Sequence, residues 1–377
     1  MKDVFEPTIK DIAKICGVGV STVSRAINNH PDINPETKEK IMNTIKEYGY
    51  VPNNSARNLK RVDAKAIAVL VKGIANPFFT NMIKIIEEEC KKKHYSMELQ
   101  HIEFDEDEVD VAQKIVKEKR LRGIIFLGGL FSHSEEKLKK LNVPFVFSTA
   151  GSIPENISKN QYSNIGVDDY KESMKMVDYL ISLGHRRISI VVAEPYEKSI
   201  GQLRLEGYID SLKKHGIQPD PALVIQTENG IGHFSMENGY RTTKRLMESG
   251  VDFTALYAVS DSIAIGSVRA LLESGRQVPQ DVSVAGYDGI EVSGYISPSL
   301  TTIRQPVEEI AKATVKLLFD IIAGKKDHQH ITYEAELLER ESTQRISEIP
   351  LLMEAFVHIN RGICFRNLHY VTGYRLP

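Results

Sequence analysis

Apolar residues recur at two different spacings along this chain, and the change of spacing near Arg61 divides it. In the stretch TIKDIAKICGVGVSTVSRAIN, Ile9, Ile12, Ala13 and Cys16 fall at helical intervals and form one stripe. Thr8 stands before them as an N-cap, with Asp11 three positions on in a near capping box. Gly17-Val18-Gly19 then breaks the helix with the tight turn of a helix-turn-helix unit. From Ser21 to Asn28 a second helix keeps Val23, Ala26 and Ile27 apolar, while Ser21, Thr22, Ser24, Arg25 and Asn28 are polar and face outward. A third helix is predicted from Asn34 as N-cap and Pro35 as first residue, with Ile41, Ile45 and Tyr48 closing a small core.

Beyond Arg61 the pattern becomes apolar strands alternating with amphipathic helices. Strands are predicted at 66–71, 95–100, 123–127 and 143–148, with helices at 79–92, 109–119 and 134–140 between them. A second series from Asn164 places helices at 170–183, 200–215, 238–249 and 263–274 around strands at 188–192, 223–226, 255–259 and 282–287. That alternation is the layout of an α/β chain with two doubly wound parallel sheets in succession.

The polar face of the second helix has a chemistry suited to DNA. Arginine pairs bidentately with guanine in the major groove, and short hydroxyl or apolar groups touch phosphates or thymine methyls. Arg25 is the first candidate for base reading, with Val20 and Ser21 at the helix start second. The plainer alternative is a helical cap with solvated polar residues, and half or more of such contacts go to phosphate. After the third helix, Asn53 to Leu59 is only about two turns long, and a helix of that length is marginal alone in water.

The runs TIKDIAK, STVSRAIN, YGYVPN and SARNLK resemble the lactose repressor/galactose repressor family of bacterial transcription regulators. NPFF, LRGIIFLGG, LGHRRISIV, RLEGY, VPQDVSVAGYDG and SPSLTTIRQP extend the resemblance through the second region. It implies a three-helix helix-turn-helix head with a hinge helix (1–62) and a bilobed, periplasmic-binding-protein-like effector and dimerisation domain (63–345). The lobes it implies are 63–165 with 297–324, and 166–296 with 325–345, crossing near Gly166, Ser297 and Gly324. Residues 346–377 lie beyond it, and are read as an oligomerisation arm or an extension without a role.

The implied partners are double-stranded, pseudo-palindromic operator DNA, a second copy of the chain (dimer, or a tetramer), and a small-molecule effector, a carbohydrate. The implied DNA contacts are Thr8, Val20, Ser21, Thr22, Ser24, Arg25 and Asn28 in the head, and Asn53, Ala56, Arg57, Leu59 and Lys60 in the hinge. Leu59 matches the position at which the family wedges a leucine into the minor groove, where the extra contacts of bent DNA offset the cost of unstacking.

Ligands of open α/β sheets bind outside the carboxyl ends of the strands. That rule selects Phe78, Phe79, Asp168, Asp169, Ser260, Asp261 and Asp288, and the resemblance adds Arg204 and Phe234. Carboxylates and an arginine that bond vicinal hydroxyls, beside aromatic rings, suit a sugar. Each has a second reading. Asp169 and Asp261 are placed to cap the helices after them, Phe79 and Phe234 to fill a core, Asp288 to start a turn, and Arg204 to be solvated on its helix. Lys198 falls where some members of the family carry an arginine that reads an acidic ligand, and its point charge does not replace a planar fork. The charge of the ligand therefore stays open.

The remaining features exclude more than they add. With 377 residues and 42% hydrophobic content the chain has enough for two or three domains. A net charge of −2 means that DNA affinity must come from a local patch. Cys16, Cys90 and Cys364 are too scattered for a disulfide framework or a metal site, and neither metal nor cofactor is expected. No nucleophile elbow, phosphate loop or zinc motif occurs, so an enzyme is not expected. His185 reads as packing or capping. The run EFDEDEVD at 103–110 reads as a solvated helix start favoured by the helix dipole. The absence of a signal-type or membrane-length apolar run gives a cytoplasmic, reduced expectation. The alternatives kept are a solute receptor without a DNA role, and a regulator whose effector is a protein or a nucleobase.

Overall fold

The computed structural model describes residues 8–28, 30–48, 65–103, 106–129, 133–150, 157–193, 200–228 and 231–346. The expectations for Asn53, Ala56, Arg57, Leu59 and Lys60, for Lys198, and for the tail from residue 347 lie outside the described residues. The chain divides into two compact units, Met1–Ala64 and Lys65–Pro377.

The first unit holds α1 (Ile9–Cys16), α2 (Val20–Ile27) and α3 (Pro35–Glu47). Thr8 starts α1 by donating its backbone amide (2.9 Å) and its hydroxyl (2.6 Å) to Asp11 Oδ2. Gly17 ends the helix in the left-handed region at φ 68°, which a side chain rarely adopts. At α3, Asn34 accepts from the amides of Glu36 and Thr37, and Pro35 occupies the first helical position. Ile12, Ala13, Cys16, Val23, Ala26 and Ile41 form the core. Tyr48 does not join it. It lies one residue past the end of α3 and is exposed, while Thr44 is buried one turn earlier and bonds the Lys40 carbonyl.

In the second unit the strands and helices alternate. The elements are β1 (Ala66–Lys72), α4 (Phe78–Lys92), β2 (Ser96–Ile102), α5 (Glu108–Glu118), β3 (Leu121–Leu127), α6 (Glu135–Lys139), β4 (Phe145–Ser148) and β5 (Asn164–Val167). They continue through α7 (Asp169–Ser182), β6 (Ile188–Val192), α8 (Ile200–Lys214), β7 (Val224–Gln226), α9 (Met236–Glu248), β8 (Ala255–Ala258), α10 (Asp261–Glu273) and β9 (Ser283–Asp288). Last come β10 (Thr301–Arg304), α11 (Val307–Ile322), β11 (His330–Tyr333) and β12 (Glu336–Leu338).

Two six-stranded sheets result, ordered β11-β5-β4-β3-β1-β2 and β12-β10-β9-β8-β6-β7. Among the described residues every pairing is parallel except the antiparallel edge β12 on β10. β1 is apolar on both faces because helices cover both, and its Ile67, Val69 and Val71 pack under α4 and α11 while Ala68 and Leu70 pack under the opposite layer. Each fully buried side chain of this size contributes about 1.5–3 kcal/mol, so the central strands anchor each lobe.

The chain crosses between lobes three times, but later than the resemblance implied. Residues 301–304 were expected in the first lobe, yet β10 pairs with β9 and sends Ile303 into the second core. Residues 330–333 were expected in the second lobe, yet β11 pairs with β5 in the first sheet. The crossings therefore follow β5, β10 and β11. The reason is pairing: each lobe borrows its last strand from the far side of the hinge, which local periodicity does not reveal.

Candidate functional site

In the head, burial of Val23 and Ala26 turns the opposite face of α2 to solvent. Val20, Ser21, Arg25 and Asn28 are exposed there, and Thr22 and Ser24 are half-buried beside them. The guanidinium of Arg25 is 58% exposed and rests 3.3 Å from Asp32. An exposed pair of this kind is worth at most about 1 kcal/mol, so it orients the arginine without consuming it. Asn28 donates to the Ser24 carbonyl at 2.6 Å. Thr8, exposed at the start of α1, donates its hydroxyl to Asp11.

In the second unit, a cleft of about 250 Å³ is lined by residues of both lobes. Of the residues expected there, Phe78, Phe79, Asp169, Arg204, Phe234 and Asp288 all line it. Phe78 and Phe79 meet edge to face, with ring centroids 5.3 Å apart. Both are also buried in the first lobe, so the core reading and the lining reading hold together. Phe234 is half-buried and packs on the second core.

Arg204 is not solvated. Only 4% of it is exposed, and its guanidinium carbon lies 3.5 Å from the centre of the Tyr287 ring. Its Nε and Nη2 reach Asp169 Oδ1 at 2.9 and 2.8 Å, and Nη1 donates to the Val259 carbonyl. Nη1 is also 3.7 Å from Asp288 Oδ1. Asp169 is thus spent on the arginine, and the N-cap of α7 is Asp168, whose side chain accepts from the Lys171 amide.

Asp288 ends β9 with φ 115°, a conformation costly for any residue but glycine. Its Oδ1 accepts from Gln305 Nε2 and its Oδ2 from Asn76 Nδ2, both at 2.9 Å. Burial pushes its pKa up to about 6, against the opposing pull of Arg204, Asn76 and Gln305. Asn76 belongs to the first lobe, between β1 and α4, so this bond joins the lobes across 212 positions of sequence.

Asp261 is a correction. It does not line the cleft but is fully buried behind it, and Ser260 is the cap of α10. Asp261 accepts from the Thr302 hydroxyl at 2.5 Å and from the Ile290 amide at 2.8 Å, which pins the turn after Asp288. Burial, and then the nearby Asp288, push its pKa up to about 8. Gly286 makes room for it, since a Cβ there would fall 2.3 Å from Asp261 Oδ1.

The acidic run is a second correction. Asp107 caps α5, but Glu108 is buried and faces inward, 3.3 Å from Lys72 and 3.0 Å from His133. His185 packs, bridging Thr254 and the Gln344 carbonyl, and burial lowers its pKa. Sequence reasoning missed Asn76, Gln305 and Lys72. Gln305 follows β10 directly and Asn76 lies four residues after β1, inside TTIRQP and NPFF, so the strand-end rule, extended through the loop after β1, was sufficient to find both.

Among the described residues no group of histidine, cysteine, aspartate and glutamate is placed to hold a metal, and no helix is long and apolar enough to cross a membrane.

Residues 8–53 match the bacterial regulatory proteins of the lacI family, and residues 177–343 match a periplasmic binding protein-like domain. The HTH-type transcriptional regulator MalR of Clostridium butyricum is 39% identical over 336 residues, 89% of this chain and 98% of that one. A solved complex of the transcriptional regulator CelR with cellobiose matches at TM-score 0.65 and 28% identity, covering 89% of this chain and all (100%) of that one. A Lac repressor dimer bound to operator and the anti-inducer ONPF matches at TM-score 0.64 and 24% identity, over 90% of this chain and 100% of that one, a likeness of fold.

Proposed function

The chain belongs to the lacI family of bacterial regulatory proteins, and from that premise we propose that it is a repressor whose hold on a pseudo-palindromic operator is set by a carbohydrate in the cleft between its lobes. It is a DNA-binding transcriptional regulator and not an enzyme. In this reading two copies place their α2 helices in successive major grooves, with Arg25 reading a base and Val20, Ser21, Thr22, Ser24 and Asn28 around it. The segment with Asn53, Ala56, Arg57, Leu59 and Lys60 becomes the hinge helix on DNA. The protein works in the cytoplasm, where its operator is.

The observation that supports a sugar over other ligands is the junction at Asp288. A carboxylate held by Asn76 and Gln305, an arginine stacked on Tyr287, and the rings of Phe78, Phe79 and Phe234 surround one cleft. Such a set bonds hydroxyls and packs on a C–H face. A ligand acts as effector only if it favours one lobe arrangement over another, because equal affinity shifts nothing.

The test has two arms. Binding-site selection with the full-length protein should recover a palindrome, and a thermal-shift series should respond to a neutral sugar. Ligand at about 100 times its dissociation constant stabilises by about 2.7 kcal/mol, easily read. No preference for any duplex over random competitor, with or without sugar, overturns the reading.

A further inference from the structure

The parallel sheet of the first lobe brings the starts of β2, β1 and β3 to one edge, and the chain enters the second unit there, at Lys65, one residue before β1. The Lys65 carbonyl accepts from the Ser96 amide at 2.9 Å, which ties it to the start of β2. Around the end of α4 stand Lys91, Lys92 and Lys93, and around the end of α5 stand Lys117, Lys119 and Arg120, all exposed, with Glu118 the one carboxylate in these two short runs. Glu89 and Glu98 reach the same edge and are taken by Lys92 and Lys119. Among the described residues no carboxylate pairs with Lys65, Lys91, Lys93 or Arg120. Helix dipoles account for only part of this, because they favour Lys91 and Lys92 in the last turn of α4 while Lys65 and Arg120 lie outside helices. Two of the four are also held in place. The Lys65 ammonium lies 5.8 Å from the centre of the Tyr95 ring, that of Lys93 lies 5.3 Å from the Phe319 ring, and the two rings meet edge to face at 4.7 Å. Both rings pack on the first core. A ring face steadies a lysine and leaves its charge intact.

We infer that this edge of the first lobe is a second DNA contact, one that binds the phosphate backbone of the duplex held by the head and reads no sequence. The inference rests on the operator reading above. A duplex carries one negative charge per about 1.7 Å of its axis, and cations without carboxylate partners displace the counterions that surround it. Such contacts fix position and affinity and carry no base preference. The whole chain has a net charge of −2, so a local concentration of cations is what a phosphate surface on it requires. DNA is also the anion best placed to arrive. Lys65 is joined to the head by the chain itself, so a duplex on the head is at high effective concentration here, whereas an acidic protein or a lipid surface would have to bind by its own affinity.

The test uses the full-length protein and the duplex returned by site selection, with affinity measured by fluorescence anisotropy between about 50 and 200 mM salt. One variant combines Lys65→Gln, Lys91→Gln, Lys93→Gln and Arg120→Gln, all at exposed positions with no ion pair to lose. Each phosphate contact adds about 0.9 to the slope of log affinity against log salt. Loss of two or more contacts should lower that slope by about 2 or more, so the deficit of the variant should be about tenfold larger at the low end of the salt range than at the high end. The charge-keeping set Lys65→Arg, Lys91→Arg, Lys93→Arg and Arg120→Lys should retain the wild-type slope, which separates charge from fold. A control with Lys171→Gln, Lys213→Gln, Arg241→Gln and Arg269→Gln removes the same charge from exposed positions of the second lobe and should also retain it. The base preference of every variant should be that of the wild type. A slope unchanged in the first variant, lowered equally in the control, or accompanied by a changed base preference overturns the inference alone. A wild type that selects no duplex overturns the operator reading and takes this inference with it.

Discussion

Replacing Asp261 by asparagine should flatten the pH dependence of stability of the second lobe. Asparagine has nearly the shape of a protonated aspartic acid, and its one carbonyl oxygen can still accept from either the Thr302 hydroxyl or the Ile290 amide, which Asp261 holds on Oδ1 at 2.5 Å and on Oδ2 at 2.8 Å. The magnitude follows from burial. A carboxyl pushed from its usual 3.8 up to about 8 in the folded chain binds a proton that the unfolded chain releases near 3.8. The stability this contributes is fully present below the usual value and is lost as pH rises through the folded one. The span from 3.8 to about 8 is worth roughly 6 kcal/mol at about 1.4 kcal/mol per tenfold. A third of that, about 2 kcal/mol, is a large share of the 5–15 kcal/mol that holds a domain together. Urea unfolding followed by circular dichroism at several pH values between 5 and 8 measures it, with the slope m as a check that both proteins unfold alike. The wild-type midpoint should fall relative to the variant as pH rises. Parallel profiles for the two proteins would refute the claim that Asp261 is held protonated.

Arg25→Ala should lower specific operator affinity by about 1–3 kcal/mol and relax the preference at one base pair, and a selection experiment returning an unchanged site rejects that role. Arg204→Ala should destabilise the second lobe by about 3–5 kcal/mol, because Asp169 and Asp288 are left buried without their cation, and should also abolish the response to sugar. A variant with the wild-type melting temperature contradicts the buried geometry. Leu59→Gly should weaken operator bending while effector binding is intact, and equal bending of both proteins in a gel-phasing assay removes the wedge.

What the sequence disclosed follows the range of the forces involved. Capping at Thr8 and Asn34, the left-handed stop at Gly17 and the two-sided burial of β1 are decided by neighbours within a few residues, so periodicity and turn chemistry found them. Strand ends were legible for the same reason, which is why six of the expected residues meet in one cleft. Apart from Tyr48, which falls just past the end of α3, the misreadings turn on partners distant in sequence. For Arg204 it is the second reading, a solvated helix arginine, that fails, because its partners Asp169 and Asp288 are 35 or more positions away. Glu108 looked like one charge in an acidic run because Lys72 comes from a strand 36 positions earlier. Asp261 follows a strand as a ligand residue should, yet the 3.6-residue pitch of α10 turns it under the Asp288 turn and away from the opening.

The bond between Asn76 and Asp288 sets a limit on how strongly a ligand can act. A carboxylate offers about four acceptor sites, and here one oxygen already holds Gln305 and the other holds the opposite lobe through Asn76. A sugar hydroxyl that takes over Oδ2 gains one hydrogen bond and frees one, so the exchange at that oxygen is worth a difference between bonds of about 1 kcal/mol each. Most of the differential binding must then come from elsewhere in the cleft, from ring stacking and from the apolar area that lobe closure hides. This agrees with the 1–3 kcal/mol typical of coupling between sites. It also makes Asn76 a bond between the lobes that competes with any ligand for Asp288 Oδ2. Asn76→Ala should therefore raise the affinity for sugar, since Asp288 then starts unlatched, while weakening the discrimination between bound and free states at the operator. Sugar affinity by titration and operator affinity with and without sugar measure both, and an affinity that drops would mean that Asn76 holds the ligand and does not compete with it.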